Sequence, residues 1–318
     1  MHETPELTVV IPVYGCGGCL RQLHKRLLGA LEPLTAAFEI VLVDDRSPDG
    51  AWDVMQELAR ADARVRIMRL SRNFGQHAAI TAGLSRSRGR WTVVMDCDLE
   101  EPPEEIPRLY AKAQEGYEIV RAARLGRRHT GFRRVAGRVY RYLFLETSRT
   151  TEYGTLSILS RKVVEAFLSL SERDREYQLM LDWLGFTQAT VPFEHGERGE
   201  GGSAYTLRRL VKVAFDGMYF RTTVLLRLIV LMGFAVAVAG LGLAAYAVYA
   251  RYAEGSPPGY TSVVVLLLVL SGFIIISLGV VGLYVGRIFD QVKGRPLFIV
   301  EEDRAGARDE EPITPHWR

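Results

Sequence analysis

Cysteine is nearly absent from this chain: Cys16, Cys19 and Cys97 are the only three in 318 residues. A secreted scaffold held by disulfides is therefore excluded. The 30 glycines and 13 prolines follow no collagen-like period. No glycine-lysine phosphate loop is present, and no G-x-G-x-x-G follows the first apolar run. A P-loop ATPase or a nicotinamide dehydrogenase is thus not expected. The opening MHETPELTVVIPVYG lacks the basic start and long apolar run of a signal peptide. Charge is missing altogether from residues 228–250 and 255–286, runs of 23 and 32 residues counted inclusively. A purely soluble protein is not expected from such a sequence.

A bilayer core needs about 20 apolar residues at about 1.5 Å each, so both runs are long enough to span it. Gly233, Gly240, Gly242, Gly272, Gly279 and Gly282 suit close helix packing in lipid. Arg208, Arg209, Lys212, Arg221 and Arg227 precede the first run, and Arg287, Lys293 and Arg295 follow the second. The turn between them carries only Arg251. The positive-inside rule then puts both termini and the preceding domain on the cytoplasmic face of an inner (plasma) membrane, with two passes through it. In that compartment the three thiols are expected to be reduced. The pair Cys16 and Cys19, in CGGC, has the spacing of a redox pair or half a zinc site, but no second ligand pair lies nearby. Small loop-filling residues are the expectation.

The part before the apolar runs alternates between strand and helix patterns. Strands are expected at 7–14, 38–45, 65–70, 90–100 and 117–124, where β-branched runs end in turn residues or acids. Leucines at 20, 23, 27, 28, 31 and 34 have a helical period. Ser47 and Pro48 read as the N-cap and first residue of a second helix. A third helix is expected over 73–87. Alternating strands and helices imply an α/β fold with a mostly parallel sheet and helices on both faces. Ligands bind such sheets outside the carboxyl ends of the strands. Tyr14, Asp44, Asp45, Asp96 and Asp98 all fall there.

The segment MDCDLEEPP (95–103) carries the strongest chemical signal. Asp96 and Asp98 are two residues apart, a spacing at which two carboxylates can share a hard divalent cation. An idle acidic turn is the bland alternative, but Asp44 and Asp45 at a second strand end argue against it. With no phosphate loop, diphosphate charge would have to be met by Mg²⁺ or Mn²⁺ and by arginines.

The segments VVIPVYG, VLVDDRSPDG, LSRNFGQHAAITAGL, VVMDCDLEEPPEEI and GRIFDQVKGRPLFIV occur in that order. With the two late apolar runs, the chain resembles family 2 glycosyltransferases of the polyprenyl-phosphate type, such as dolichyl-phosphate mannosyltransferase and the bactoprenol glucosyltransferases. The resemblance spans about residues 7–300. It implies a GT-A-like domain that uses a nucleotide-sugar. Pro12, Tyr14, Val43 and Asp45 would then hold the nucleoside. Asp96, Cys97 and Asp98 would hold ribose, diphosphate and metal, with Glu100 beside the donor. Arg124 and Arg134 match basic positions that contact phosphate, and Arg138 is assigned with them to the acceptor phosphate. The chain departs from the family pattern at Gly15, where Asn is common, at Glu100, where Gln is common, and at Gly137, where Ser is common. It departs again at Thr155 and Ser157, which replace the Asp and Arg of a G-D-F-R-L segment. The missing Asp leaves the identity of any general base open.

An ionised phosphate acceptor needs little base assistance, because its second pKa is about 6. It does need cations. Residues 121–149 hold nine arginines and one acid, Glu146, a local charge of +8 (nine minus one). This stripe is expected to bind phosphate. Behind a glycine-rich segment, Leu207, Leu210, Val211, Ala214 and Phe215 interleave with Arg208, Arg209 and Lys212, the pattern of an amphipathic interfacial helix. Arg198, Ser203 and Tyr205 would close over donor or acceptor.

The expected organisation is a catalytic domain over 1–205, an interfacial segment over 206–223, a transmembrane hairpin over 224–286 and a tail over 287–318. The spans of the hairpin are placed at about 224–250 and 261–286. The expected reaction moves a sugar from a UDP- or GDP-sugar to polyprenyl phosphate with inversion. Asp96, Asp98, Arg124 and Arg134 would carry it, and the expected partners are donor, lipid phosphate and membrane lipid, with no nucleic acid. Two alternatives stay open: transfer to another membrane lipid or lipid-linked glycan, and a non-catalytic membrane scaffold with the same fold. A hydroxyl acceptor would require a base, for which Glu152, Glu176 and Asp182 are available. The sugar, the lipid length and any homo-oligomer also stay open.

Overall fold

The computed structural model of the chain describes residues 4–124, 153–173, 175–193 and 259–304, with scattered positions between 229 and 249. These residues belong to two units. One holds residues up to 131, 147–201 and 295–318; the other holds 132–146 and 202–294.

In the first unit the chain runs β1 (Leu7–Val13), α1 (Leu20–Leu31), β2 (Phe38–Asp44), α2 (Ala51–Ala61), β3 (Val65–Leu70), α3 (Gln76–Arg86) and β4 (Trp91–Val94). A 3₁₀ turn at Pro103–Glu105 leads into α4 (Ile106–Gln114), followed by β5 (Ile119–Arg124). Then come β6 (Tyr153–Ser160), α5 (Arg161–Ser169), α6 (Tyr177–Leu184), β7 (Gln188–Phe193) and, near the end of the chain, β8 (Val300–Arg304).

The eight strands form one sheet in the order β7-β5-β6-β4-β1-β2-β3-β8. Strands β4, β1, β2 and β3 are mutually parallel. Strand β6 enters antiparallel between β4 and β5, and β8 closes the far edge antiparallel to β3. Because two antiparallel steps restore direction, β5 ends at the same sheet edge as β4. The parallel core, the helices and their order agree with the α/β, GT-A-like reading.

Strands β1 and β2 are buried at every residue, as expected for strands covered on both faces. One core layer joins Leu7, Val9, Ile11 and Val13 to α1, α2 and α4. The other joins Val10, Val41 and Val43 to α3, α5 and α6. On α1, Leu20, Leu23, Leu27 and Leu31 point into the first layer, which is the leucine period seen in the sequence. Helix α3 lies so close to β1 that a Cβ at Gly83 would come within 2.3 Å of Val10 Cγ1.

Some elements differ from expectation. Strand β4 ends at Val94, so the acids at 96 and 98 stand in the turn that follows, free of the ladder's constraint. Helix α2 begins at Ala51, with Gly50 as its N-cap at φ 75°. Ser47 is no cap; its Oγ accepts from Gly15 N at 2.7 Å. Residues 300–304, expected in a tail, return to the sheet as β8. Asp303 there pairs with Arg66 at 3.0 Å and Arg86 at 2.8 Å, which ties the strand to β3 and α3.

In the second unit, α7 (Tyr260–Val292) is helical over 33 residues. Among the described residues taken alone, no helix is long and apolar enough to cross a membrane. The expected interfacial segment at 206–223 lies outside the described residues, and the expected span at 224–250 is described only at scattered positions.

Candidate active site

A pocket of about 310 Å³ opens at the carboxyl ends of β1, β2 and β4. Pro12, Val13, Tyr14, Gly15 and Cys16 form the wall after β1. Asp45 contributes from β2, Asn73, Gly75 and Gln76 from the β3–α3 loop, and Asp96, Cys97 and Asp98 from the turn after β4. Parallel strands all release their chain at this edge, so the pocket follows from the topology.

Each carboxylate has a distinct setting. Asp44 has no exposed surface; its Oδ1 accepts from Ser47 N at 2.8 Å and its Oδ2 lies 3.2 Å from Arg69 Nε. It braces the turn and does not line the pocket. Asp45 is also buried, and its two oxygens accept from Phe74 N at 2.7 Å and Gly75 N at 2.8 Å. These bonds shape the β3–α3 loop, where Gly75 has φ 94°, a conformation that suits glycine. Burial pushes both carboxyls above the ordinary Asp range, against the hydrogen bonds that hold them ionised.

Asp96 is held from two sides. Gln76 Nε2 donates to its Oδ1 at 2.6 Å, and the Thr155 hydroxyl donates to its Oδ2 at 3.0 Å. Glu101 lies beneath: its Oε2 accepts from Asp96 N at 3.3 Å and its Oε1 from Leu156 N at 3.0 Å. Glu101 is buried, and desolvation, with the Asp96 charge added, pushes its carboxyl up to about 7. Asp98 is exposed, and its Oδ1 accepts from Glu100 N at 3.0 Å. Between them Leu99 adopts φ 63°, uncommon for a branched residue.

These donors fit a hard divalent ion. Among the described residues no group of three or more His, Cys, Asp and Glu is arranged around a metal position. Two carboxylates on one pocket wall are nonetheless what Mg²⁺ or Mn²⁺ requires when substrate phosphates and water complete its oxygen shell. Asp96 accepts a hydrogen bond from a neutral donor on each oxygen, Gln76 on one side and Thr155 on the other.

Several expected site residues are placed elsewhere. Val43 has no exposed surface, packs under α3 and does not line the pocket, because its side chain falls on the sheet face opposite α2. Glu100 borders the acidic turn without lining the pocket. Arg124 ends β5 at the pocket edge of the sheet but is not part of the pocket wall. Arg134 and Arg138 lie outside the described residues. Arg121, counted in the basic stripe, is 2% exposed and bonds Asp182 at 2.6 Å. It is core, not a phosphate ligand, because its strand is covered by α6. Asp182 is engaged in the same pair, which argues against its use as a base. The expectation of three reduced thiols is also corrected: Cys16 and Cys97 form a disulfide, and Cys19 is free.

Gln76, Thr155 and Glu101 were not singled out from the sequence as partners of Asp96. The signal for Glu101 was its position in the acidic run. For Gln76 and Thr155 no local pattern reports contact with a turn 20 or 59 residues away.

The sequence model of Glycosyl transferase family 2 matches residues 8–168. The undecaprenyl-phosphate 4-deoxy-4-formamido-L-arabinose transferase of Salmonella choleraesuis (strain SC-B67) is 35% identical over 304 residues, covering 93% of each chain. The enzyme of the same name from Salmonella dublin matches equally, at 35% over 304 residues. Among solved structures, the chain is similar to glucosyl-3-phosphoglycerate synthase from Mycobacterium tuberculosis in complex with Mn²⁺, UDP and phosphoglyceric acid. The TM-score is 0.46 at 18% identity, covering 68% of this chain and 76% of that one. TarS of S. aureus in complex with UDP gives 0.44 at 16% identity, covering 59% and 60%. The matched residues 8–168 run from β1 into α5 and contain every residue of the pocket wall, and the first relatives share nearly the whole length. The chain belongs to glycosyl transferase family 2.

Proposed function

We propose that this glycosyltransferase moves a sugar from a nucleotide-sugar to polyprenyl phosphate at a membrane surface, with a divalent metal ion. The observation that carries the reading is the 35% identity over 93% of the chain to undecaprenyl-phosphate transferases. The pocket chemistry is compatible with it. Tyr14, 55% exposed at the pocket wall, offers a ring face to the nucleoside base. Asp45 supports the loop that carries Asn73, Gly75 and Gln76 to the donor. Asp96 and Asp98 would hold Mg²⁺ or Mn²⁺ against the diphosphate. When bound, the ion supplies charge neutralisation for the departing nucleoside diphosphate.

Thr155 occupies the position where relatives of this type often carry an Asp, and its hydroxyl serves Asp96. A phosphate acceptor removes the need for a base there. Its oxygen arrives ionised at neutral pH, so positioning and charge relief dominate the barrier. Arg124, at the same sheet edge as the pocket, would supply that relief together with Arg134 and Arg138. In-line attack on the anomeric carbon gives inversion, as the family resemblance implies.

Membrane attachment rests on the two uncharged runs and on α7. At about 1.5 Å per residue, the uncharged runs of 23 and 32 residues are each long enough, if helical, for a bilayer core of about 30 Å. Ile274, Ile275, Ile276 and Leu278 along α7 are all more than 60% exposed, an apolar surface suited to lipid. Flanking arginines and lysines favour a cytoplasmic active site on the plasma (inner) membrane. The test is mass spectrometry of lipid products from purified full-length protein. It would be given undecaprenyl phosphate and a panel of UDP- and GDP-sugars that includes a nucleotide-linked 4-deoxy-4-formamido-L-arabinose. A glycosyl-phospholipid product is expected from at least one donor. Sugar transfer to a hydroxyl lipid in its place would overturn the acceptor assignment.

A further inference from the structure

Cys16 and Cys97 are 81 residues apart in sequence and are joined across the pocket wall. Cys97 stands between Asp96 and Asp98, so the bridge fastens the acidic turn to the β1–α1 loop. That loop is anchored on its other side. Gly15 N donates to Ser47 Oγ and Gly17 N to Asp49 Oδ2, both at 2.7 Å. A Cβ at Gly17 would sit 3.1 Å from the Ala51 Cα, so the loop already packs tightly on α2. The acidic turn has no strand ladder of its own and carries Leu99 at positive φ. The bridge therefore adds a covalent tie from a braced loop to a turn that side-chain hydrogen bonds hold at Asp96 and Asp98.

The third cysteine stands beside this link. Cys19 N donates to Cys16 O at 3.0 Å, closing one turn at the head of α1, and Cys19 is a free, partly exposed thiol. Residues at this separation on a turn can be bridged with little backbone movement.

We propose that Cys16, Cys19 and Cys97 form a thiol–disulfide exchange site built into the donor pocket, whose Cys16–Cys97 state presets the acidic turn for the nucleotide diphosphate. Cys19 attacks as thiolate on Cys16 Sγ. The Cys16–Cys19 bond forms, the Cys16–Cys97 bond breaks, and Cys97 leaves as thiolate and takes up the proton that Cys19 gave up. No electrons are gained or lost in this step. An external dithiol opens either bridge fully, giving two electrons and two protons and becoming a disulfide. With Cys97 released, the turn keeps its hydrogen bonds to Gln76, Thr155 and Glu101 but loses its covalent tie to the β1–α1 loop, and binding weakens by the cost of restricting the freedom gained. The regulation rests on the donor-pocket reading above; the bridge itself does not.

The test uses purified full-length protein in two parts. Alkylation with peptide mapping, after mild oxidation and after dithiothreitol, locates the bridges. Wild type is expected to show Cys16–Cys97 together with Cys16–Cys19 after oxidation, and neither bridge after dithiothreitol. Cys19→Ser is expected to show only the first and to keep the activity of the bridged protein. Calorimetry with UDP and GDP plus Mn²⁺ then compares states. The bridged form is expected to bind one of them at least about three-fold more tightly than the reduced form, and the difference should vanish in Cys16→Ser and in Cys97→Ala. Three free thiols after oxidation would overturn the site. Equal nucleotide affinity in both states, or a redox response surviving in both variants, would overturn the regulation alone. A mapped bridge with no binding of either nucleotide in any state would overturn the donor-pocket reading and the regulation with it.

Discussion

The Thr155 hydroxyl donates to Asp96 Oδ2 at 3.0 Å, across 59 residues of sequence. The bond joins β6 to the turn after β4, and Gln76 Nε2 completes the brace at 2.6 Å from Asp96 Oδ1. In family 2 relatives of this type an Asp is common where Thr155 stands. Here the position carries no charge and is committed to orienting a carboxylate that would face the metal.

Thr155→Val should therefore raise the metal concentration needed for half-maximal turnover, by about 10–100-fold, as for other groups that orient metal ligands. Thr155→Ser should stay near wild type, because it keeps the hydroxyl. The measurement is Mn²⁺ titration of donor turnover. A threonine acting only by packing would give the reverse order, with Val tolerated better than Ser.

Asp98→Asn should reduce turnover at least about 10²-fold with the fold unchanged by circular dichroism. Asp98 is exposed and makes one local hydrogen bond, to Glu100 N, so its removal costs the fold little. Full activity of the variant, or wild-type turnover that persists in excess chelator, would reject the metal assignment.

Glu101 makes metal-free protein less stable as pH rises. Its folded pKa of about 7 lies above the ordinary value of 4.5, chiefly through desolvation. Between those values the unfolded chain gives up the proton more readily, so stability is full below about 4.5 and falls until about 7. The loss is on the order of 2–4 kcal/mol. Urea denaturation in chelator at pH 5 and pH 8 should show this drop in wild type and a smaller one in Glu101→Gln. An unchanged pH dependence in the variant would assign the drop to other groups.

Two arginines of the same basic stripe should behave in opposite ways. Arg121 is buried against Asp182, so Arg121→Ala should lower stability by about 3–5 kcal/mol, visible in thermal denaturation. Arg134→Ala should raise the KM for polyprenyl phosphate, with nucleotide affinity little changed. Arg134→Lys should rescue only partly, because a point charge lacks the planar fork. Impaired nucleotide binding in Arg134→Ala would move that residue to the donor site.

The parallel half of the sheet was legible because strands buried on both faces must be apolar at consecutive positions. LTVVIPV and FEIVLVD show this directly, and VRIMRL was bounded to the residue. Strands β6, β7 and β8 were not read as strands. Strand β7 lies at the sheet edge and alternates only weakly. Strand β8 is VEEDR, whose acids suit a strand only because Arg66 and Arg86 wait for Asp303. Arg121 looked like part of a solvated basic face, since local charge says nothing of the helix that covers it.

By itself the sequence determined the α/β class, the family and the gathering of acids at one sheet edge. Burial periodicity and strand-end position are local properties that a parallel topology converts into place. What only tertiary structure decided is which side chains meet at that edge. The insertion of β6 beside β4 brings Thr155 to Asp96, the β3–α3 loop brings Gln76 to the same carboxylate, and the β1–α1 loop brings Cys16 to Cys97. Those contacts depend on strand order and direction, which residue spacing along the chain does not encode.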